Sequence, residues 1–346
     1  MTPCRGGWTS RSVRYRIREE RLGADFDCAA DDVLLRAGLR AGVPLAYECN
    51  VGGCGSCKFE LLEGEVADAW PLAPGLSERD RNRNRRLACQ SRPVSDCRIK
   101  MIGRGDAAAA PLPERVSATL IAAQDLTRDM REFRFRGDAP AAFRPGQYAL
   151  LSPGGIPAAR AYSMSNVEND EGEWHFIIRR VPGGAATSAL FDLRPGDCVT
   201  LDGPYGRAYL RADTGRNVVC IAGGSGLSPM IGIARGLDRA EMAVGCAFDF
   251  FYGGRSADDI CGEALLRGLP RLGSHVRFHS IVSSGDDRWS GRTGMVHELV
   301  ADLPMEAFAR TDFYLAGPPP MAEAVVALLT RDRGVPAERI HFDRFF

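Results

Sequence analysis

The most chemically informative residues of this 346-residue chain are three cysteines in one short, glycine-containing stretch. Cys49, Cys54 and Cys57 follow the spacing C-x4-C-x2-C, and Cys89 lies further along the chain. This is the plant-type spacing for a [2Fe–2S] cluster, in which four thiolates hold two irons. Glycines between the cysteines allow backbone angles that other residues avoid, so the loop can wrap tightly round such a cluster.

Disulfide bonds and a structural zinc ion are the alternatives for these four cysteines. Disulfides are rare in the reducing environment of the cytoplasm. Structural zinc ions usually take their ligands as two close pairs along the chain, whereas three of the four cysteines crowd one loop. The spacing therefore favours iron ligation by Cys49, Cys54, Cys57 and Cys89.

A second glycine-rich turn lies at 223–226, directly after an apolar run at 218–222 and before a predicted helix. Gly223, Gly224 and Gly226 leave backbone N–H groups accessible at a helix start, which is a common site for a phosphate group. The turn does not match G-x-G-x-x-G, the usual dinucleotide fingerprint. A tight turn without a ligand is the alternative.

Gly317 and Pro318 follow another apolar strand, predicted at 313–316. Backbone without a bulky side chain at this point would let a flat ring approach closely. The alternative is a plain helix start, since proline is favoured in a first turn.

Arg160, Tyr162 and Ser163 lie on a predicted strand of the middle part of the chain. The arginine fork suits a phosphate, the tyrosine ring can stack on a flat ring, and the serine can hydrogen-bond to it. Strand alternation places Arg160 and Tyr162 on one face and Ser163 on the other. An edge strand with an exposed arginine is the alternative.

Five arginines occur within residues 79–86, shortly before Cys89. A solvated surface is the simplest interpretation of such a charge run. A docking patch that steers an acidic protein partner towards the cluster is the alternative. The five histidines form no pair at ligand spacing, so none is assigned a metal.

Composition argues against several other classes of protein. Charged residues make up 25% of the chain and the formal net charge is zero, so nothing favours binding to nucleic acid or to a membrane surface. We find no apolar run long enough for a membrane span, and residues 1–12 lack the apolar segment of a signal peptide. We therefore expect a cytoplasmic protein with a disordered extension at 1–12.

The elements that position these residues form three predicted domains. Short strands (one of them at 58–66), one helix and the cysteine loop make residues 13–102 look like a β-grasp [2Fe–2S] ferredoxin domain. A linker of Gly, Ala and Pro follows at 103–114. Successive strands at 115–214 predict an antiparallel barrel, and alternating strands and helices at 215–346 predict a parallel α/β domain. The predicted fold class is therefore multidomain, α+β and α/β.

Together these features resemble the NAD(P)H-dependent reductase components of bacterial multicomponent oxygenases. In that family a [2Fe–2S] ferredoxin domain, an FAD-binding barrel and a nicotinamide-binding domain follow in the same order, and the resemblance covers nearly the whole chain. The subgroup most similar is the reductase of toluene-type di-iron monooxygenases. The stretches that carry the resemblance are residues 47–57, 63–66, 70–76, 87–90, 160–163, 202–206 and 341–346.

The resemblance implies a flavin site on the barrel. Arg160 would hold the FAD pyrophosphate, Tyr162 would lie against the isoalloxazine ring, and Ser163 would lie near flavin N5. Gly184 and Thr187 match a second flavin motif, G-x-x-S, with threonine keeping the hydroxyl.

The resemblance also implies a nicotinamide site on the last domain. The turn at 223–226 would bind the dinucleotide, and Gly253 and Arg255 would meet its adenosine half. Asp343 and Phe345 match a C-terminal pair near the flavin and nicotinamide.

The chain departs from the family pattern at one position. The family usually has Cys-Gly-Pro-Pro, with the cysteine beside the nicotinamide, whereas this chain has Ala316 before Gly317 and Pro318. The backbone turn is retained, and the thiol is not needed as a nucleophile, so we expect activity to persist with slower hydride transfer.

The implied activity is that of a ferredoxin–NAD(P)-type oxidoreductase of aromatic hydrocarbon catabolism. NADH would reduce FAD, and single electrons would pass through the cluster to an oxygenase or a Rieske ferredoxin. Asp258 and Asp259 follow Arg255 and disfavour a 2′-phosphate, which favours NADH over NADPH. The alternatives are a reductase for a Rieske aromatic-ring dioxygenase, a non-enzymatic electron carrier, and a DNA-binding redox sensor, for which the chain lacks a helix-turn-helix pattern.

Overall fold

The computed structural model describes residues 13–105, 111–154, 159–240, 247–285 and 287–343. The predicted disordered extension at 1–12 and part of the predicted linker lie outside these ranges. The chain divides into two compact units. One contains the residues up to Arg115 together with 202–204, and the other contains 116–201 and 205–343.

The first unit is built on a five-stranded sheet with the order β2-β1-β7-β3-β5 and a separate pair, β4 and β6. Its strands are β1 (Arg14–Glu19), β2 (Ala24–Ala29), β3 (Lys58–Glu63), β4 (Val66–Asp68), β5 (Arg85–Leu87), β6 (Ser91–Pro93) and β7 (Cys97–Met101), and its helices are α1 (Leu34–Arg40) and α2 (Glu78–Arg81). Strands β1 and β2 alternate exposed and buried side chains because one face of the sheet packs on the core. Ile17 and Phe59 on that face are fully buried.

The single strand predicted at 58–66 is instead two strands, β3 and β4. Gly64 separates them with a φ of +89°, and a β-carbon there would overlap the Asp96 carbonyl oxygen. The chain therefore leaves the main sheet at this glycine, and Val66 pairs with Pro93 of β6. A positive φ at glycine commonly marks such a change of direction.

The second unit begins with a six-stranded antiparallel sheet in the order β11-β10-β13-β8-β9-β12. A bridge between Met164 and Phe176 joins the ends of this order and closes the sheet into a barrel. Phe133, Phe135 and Phe176 fill its interior. The elements are β8 (Glu114–Asp125), β9 (Met130–Arg136), β10 (Tyr148–Pro153), β11 (Arg160–Ser163), β12 (Glu173–Arg179), α3 (Ala185–Asp192) and β13 (Cys198–Tyr205).

The rest of the second unit is a five-stranded parallel sheet with the order β16-β15-β14-β17-β18. Its strands are β14 (Asn217–Gly223), β15 (Phe248–Gly254), β16 (Arg277–Val282), β17 (Thr311–Ala316) and β18 (Ile340–His341). Its helices are α4 (Leu227–Arg239), α5 (Glu263–Arg267), α6 (Val296–Ala301), α7 (Met305–Ala309) and α8 (Pro319–Ala327). Strand β17 is buried along its whole length because helices cover both faces of a parallel sheet.

The three predicted architectures are confirmed, and within them the strand predicted at 58–66 is divided into two. The helix that follows β17 begins at Pro319 and ends as a π-helical turn at Leu328–Asp332. Within the ranges that the structure describes, none of the helices has the length and apolar character needed to cross a bilayer.

Candidate cofactor sites

The four predicted iron ligands lie together as two pairs of free thiols. The Cys57 and Cys89 sulfurs are 3.3 Å apart, and the Cys49 and Cys54 side chains are hydrogen-bonded to each other. Cys49, Cys57 and Cys89 are buried, whereas Cys54 is half-buried. Cys54 is therefore the least buried of the four cysteines.

Glycine geometry holds this loop against the segment at 70–76. Gly52 and Gly55 have φ values of +92° and +78°, and the Gly75 N–H donates to the Gly52 carbonyl at 2.9 Å. A β-carbon on Gly55 would lie 2.6 Å from the Gly75 carbonyl oxygen. The two segments approach too closely for any residue but glycine at position 55.

The sulfur environment suits anionic ligands. The Cys54 N–H points at the Cys49 sulfur at 3.4 Å, and the Ser56 N–H points at the Cys54 sulfur at 3.5 Å. The hydrogen bond from Cys49 lowers the pKa of Cys54 to about 5, and the hydrogen bond from Cys57 lowers the pKa of Cys89. In each pair, therefore, one thiol has a lowered pKa and the other a raised pKa.

Two pairs of thiolates match two irons better than one zinc ion. Among the residues that the structure describes, no three His, Cys, Asp or Glu side chains are grouped as ligands of one metal ion. In a [2Fe–2S] cluster four thiolates are shared by two irons, so two close pairs are what the cluster needs. The four cysteines fit this group.

The flavin motif on the barrel ends at a junction with the nicotinamide domain. Arg160 is exposed, Tyr162 is half-buried and Ser163 is buried, and burial raises the pKa of Tyr162 to about 12. The Ser163 carbonyl accepts a 2.7 Å hydrogen bond from the Ser228 hydroxyl in the first turn of α4. The Ile177 N–H of β12 donates to the same hydroxyl at 2.9 Å. One serine therefore ties two barrel strands to the helix that follows the glycine turn.

The second flavin motif lies at the start of α3. Gly184 is the residue before the first helical turn. The Thr187 hydroxyl accepts the Val181 N–H at 3.1 Å and donates to the Gly184 carbonyl at 3.1 Å. The hydroxyl thus organises the turn that begins α3.

The two glycine turns of the nicotinamide domain are brought together by neighbouring strands. The turn at 223–226 follows β14, and Gly317 follows β17, which pairs with β14. A β-carbon on Gly226 would overlap the Ala316 carbonyl oxygen, and one on Gly223 would lie 2.5 Å from the Met321 sulfur. Pro318 immediately precedes α8. These glycines allow two turns to touch where parallel strands end, the usual ligand edge of such a sheet.

Sequence reasoning missed Arg179, which lies beside the glycine turn. Its Nη2 donates to Asp259 at 2.5 Å, and its Nε lies 2.9 Å from an Asp129 carboxylate oxygen. Its Nη1 would lie 3.0 Å from a β-carbon on Gly224, so the guanidinium stands on the open side of the turn. The sequence signal that could have indicated this residue is an arginine two positions before the turn sequence Val-Pro-Gly-Gly at 181–184.

An open cavity of about 580 Å³ lies beyond Arg179, with Asp129, Arg255, Asp258 and Asp259 in its wall. Arg255 is 73% exposed and follows the end of β15, where Gly253 lies. Desolvation by burial raises the pKa of Asp259. Hydrogen bonds from the Ser256 and Arg255 N–H groups outweigh this effect and hold the pKa below its usual range. The cavity therefore presents carboxylates as well as an arginine.

The C-terminal motif contacts a turn at the end of β13. Asp343 Oδ1 accepts the Arg207 N–H at 3.2 Å, and a β-carbon on Gly206 would lie 2.6 Å from the other oxygen of Asp343. Gly206 has a φ of +100°. Phe345, the other predicted residue of this pair, lies outside the described ranges.

The arginines at 79–86 divide into two kinds. Arg81 donates to the Leu76 carbonyl at 2.8 Å, Arg85 pairs with Asp80 and Arg86 pairs with Asp68. Arg79 and Arg83 are exposed, and within the described residues they have no ion-pair partner. Only these two remain available for charge steering.

The fold and these sites define an iron–sulfur flavoprotein that uses a nicotinamide dinucleotide. The family descriptions "2Fe-2S iron-sulfur cluster binding domain", "Oxidoreductase FAD-binding domain" and "Oxidoreductase NAD-binding domain" match residues 17–94, 117–209 and 220–327. FAD, a [2Fe–2S] cluster and NADH are therefore its cofactors.

Similar proteins cover nearly the whole chain. Ferredoxin–NAD(P)(+) reductase CarAd of Metapseudomonas resinovorans is 41% identical, covering 96% of this chain and 100% of that protein. The ferredoxin–NAD(+) reductase component of the alkene monooxygenase system of Xanthobacter autotrophicus is 40% identical, covering 93% and 98%. The solved structure of the ferredoxin reductase in carbazole 1,9a-dioxygenase has 38% identity and a TM-score of 0.90, covering 97% and 100%.

The chain belongs to the family of ferredoxin–NAD(P)(+) reductases that serve as reductase components of oxygenase systems. The family predicted from the sequence is thereby confirmed, as is an oxidoreductase activity. These matches do not specifically show the toluene monooxygenase subgroup, which stays a prediction.

Proposed function

We propose that the chain delivers electrons from NADH to a monooxygenase, directly or through a Rieske ferredoxin. The observation that carries this proposal is the presence, on one chain, of two cysteine pairs, a flavin barrel and a glycine turn for a dinucleotide. The 40% identity with an alkene monooxygenase reductase component supports it. A Rieske dioxygenase system is the second candidate, supported by the 41% identity with CarAd and by the carbazole dioxygenase reductase structure.

The bound cofactors supply the redox chemistry, which is hydride acceptance at the flavin and single-electron transfer at the cluster. On the barrel, Arg160 pairs with the FAD pyrophosphate and Tyr162 packs against the flavin ring. Ser163 offers its hydroxyl to flavin N5, and its carbonyl bond to Ser228 fixes its strand against α4. Gly184 and Thr187 form the second flavin contact at the start of α3.

The nicotinamide dinucleotide occupies the edge formed by the turns after β14 and β17. Gly223, Gly224 and Gly226 present backbone N–H groups to its pyrophosphate. Arg179 adds a positive charge on the open side of the same turn. Gly317 and Pro318 leave room for the nicotinamide ring, beside Ala316.

Recognition of the adenosine half falls to the cavity beside Arg255, at the end of the strand that contains Gly253. Asp258 and Asp259 give this cavity two carboxylates, and like charges repel a 2′-phosphate. We therefore expect NADH to be preferred over NADPH. Comparison of kcat/KM for the two nucleotides tests this, and a preference for NADPH would contradict it.

The C-terminus completes the reacting edge. Asp343 lies against the turn at Gly206, and Phe345 follows two residues later. We assign both to the region where flavin and nicotinamide meet, and the Arg207 N–H donates to the Asp343 carboxylate there.

The electron acceptor docks on the surface next to the cysteine loop. Cys54 is the least buried ligand, and the adjoining segment exposes Trp70 and Leu72 by 46% and 77%. A β-carbon on Gly52 of the cysteine loop would lie 3.2 Å from the Trp70 ring. With Arg79 and Arg83 nearby in sequence, this surface suits an acceptor with acidic groups around an apolar centre.

The visible spectrum of the purified protein tests the cofactor assignment. Flavin bands over broad iron–sulfur absorption, both bleached by anaerobic NADH, are expected. Absence of the iron–sulfur absorption from protein with stoichiometric flavin would refute the cluster. Electron delivery to purified monooxygenase and Rieske dioxygenase components, assayed side by side, then separates the two candidate systems.

A further inference from the structure

Asn50, the residue after the first iron ligand, has an unusual side chain. It is 3% exposed, and neither its amide nitrogen nor its amide oxygen has a hydrogen-bond partner within the described residues. Burying an amide without a hydrogen-bond partner costs stability, because the amide loses its hydrogen bonds to water. Since nearly all buried polar groups in folded proteins are hydrogen-bonded, an unpaired buried amide indicates a functional role or a bound partner.

Backbone conformation alone does not explain an asparagine at this position. Asn50 has a φ of +56°, in the left-handed region that asparagine tolerates and glycine prefers. Asn84 has the same kind of backbone, with a φ of +54°. Its exposed amide donates to the Leu61 carbonyl at 2.7 Å. Glycine at position 50 would satisfy the backbone without burying an amide.

A second amide side chain stands beside the other cysteine pair. Gln90 directly follows Cys89, and its Nε2 lies 3.7 Å from the Cys89 sulfur, within reach of a hydrogen bond to sulfur. Asn50 directly follows Cys49 in the same way. In each pair of iron ligands, one cysteine is thus followed directly in the sequence by a residue with a neutral amide side chain.

We propose that the Asn50 amide donates a hydrogen bond to a sulfur of the bound cluster and, together with Gln90, raises its reduction potential. Hydrogen bonds to the sulfurs are one of the factors that set cluster potentials. A donor stabilises the more negative, reduced state more than the oxidised state, since hydrogen bonds to ionised acceptors are the stronger ones. This inference rests on the cluster assigned to the four cysteines.

The test is a redox titration of the purified protein, with the flavin of the same sample as internal reference. Asn50→Gly removes the amide and keeps the backbone conformation. We expect this variant to shift the equilibrium of electron exchange between the cluster and a reference dye by about threefold to tenfold towards the oxidised cluster, which means a lower cluster potential. A tenfold shift corresponds to about 59 mV for one electron. The flavin potential should not move.

Asn84→Gly is the matched control, because it makes the same chemical change at the same backbone angle away from the cysteines. It should leave the cluster potential unchanged.

Asn50→Asp keeps the side-chain shape and replaces the NH2 donor by oxygen. This variant tests the hydrogen bond if Asn50→Gly does not retain iron. It should also lower the potential.

The proposal would be overturned if the equilibrium constant between cluster and dye in Asn50→Gly or Asn50→Asp protein stayed within about a factor of two of the wild-type value. This comparison requires full iron content in the variant. Wild-type protein without iron and sulfide would instead overturn the cluster assignment itself. Iron content and the visible spectrum, measured before the titration, therefore distinguish the two failures.

Discussion

Replacement of Arg179 by glutamine tests whether the barrel contributes to nicotinamide dinucleotide binding. The guanidinium is 21% exposed, and its Nη1 stands over Gly224 of the phosphate-binding turn. Loss of a hydrogen bond to a charged group costs about 1.5–3 kcal/mol, and each 1.4 kcal/mol is about tenfold in affinity. Those figures correspond to about tenfold to about hundredfold weaker binding.

The lower end of that range is expected, because two carboxylates already hold the same guanidinium. The ion pairs of Arg179 with Asp129 and Asp259 weaken when a phosphate binds. This weakening offsets part of the binding free energy that the contact between Arg179 and the phosphate contributes. We therefore predict an increase of about tenfold in the KM for NADH. Since the contact is present in ground and transition states alike, kcat should stay near the wild-type value.

The assay is NADH oxidation with ferricyanide as electron acceptor, at measured FAD content. Arg180→Gln is the matched control, because Arg180 is the next residue and its guanidinium lies over the Phe191 ring, 5.6 Å from the ring centroid. Arg179→Lys, which keeps the charge, should recover part of the affinity. An unchanged KM in Arg179→Gln protein with full flavin would refute the role given to Arg179.

Three further predictions concern the other sites. Cys89→Ser should retain NADH oxidation with ferricyanide and lose electron transfer to cytochrome c, and unchanged cytochrome c reduction would place the cluster off the route. Gly226→Ala should retain FAD but lose NADH oxidation, because the new β-carbon would overlap the Ala316 carbonyl oxygen. Such overpacking lowers the free energy of unfolding by about 1–3 kcal/mol, and thermal unfolding measures this decrease. Arg79→Glu combined with Arg83→Glu should slow reduction of an acidic ferredoxin and speed reduction of basic cytochrome c; equal effects on both acceptors would argue against charge steering.

The grouping of the four cysteines was predictable from their local spacing, whereas their role as iron ligands stays a prediction. Three ligands lie within nine residues of one another, and plant-type cluster spacing follows directly from the geometry of four thiolates round two irons. The glycine turn at 223–226 was predictable for a similar reason, since an apolar strand followed by glycines and a helix is a local pattern. The assignments of individual residues to flavin and nicotinamide, and the domain limits at 13–102, 115–214 and 215–346, stay predictions.

Other features could not be read from local pattern. Arg179 lies beside Gly224 because β12 of the barrel ends next to the turn after β14. Gly224 comes 45 positions after Arg179 in the chain. The split of the predicted strand at 58–66 depended on a close approach between Gly64 and Asp96. Such contacts join distant parts of the chain and leave no periodic signal.

The sequence by itself determined the kinds of cofactor and the order of the domains, because ligand spacing and the alternation of strands and helices are properties of neighbouring residues. Tertiary structure decided which side chains remain available for function. Among the arginines at 79–86 it paired Arg81, Arg85 and Arg86 with nearby groups and left Arg79 and Arg83 exposed. It also buried the amide of Asn50, the residue after Cys49, without a hydrogen-bond partner among the described residues, since burial and hydrogen bonding depend on the packing of the whole fold.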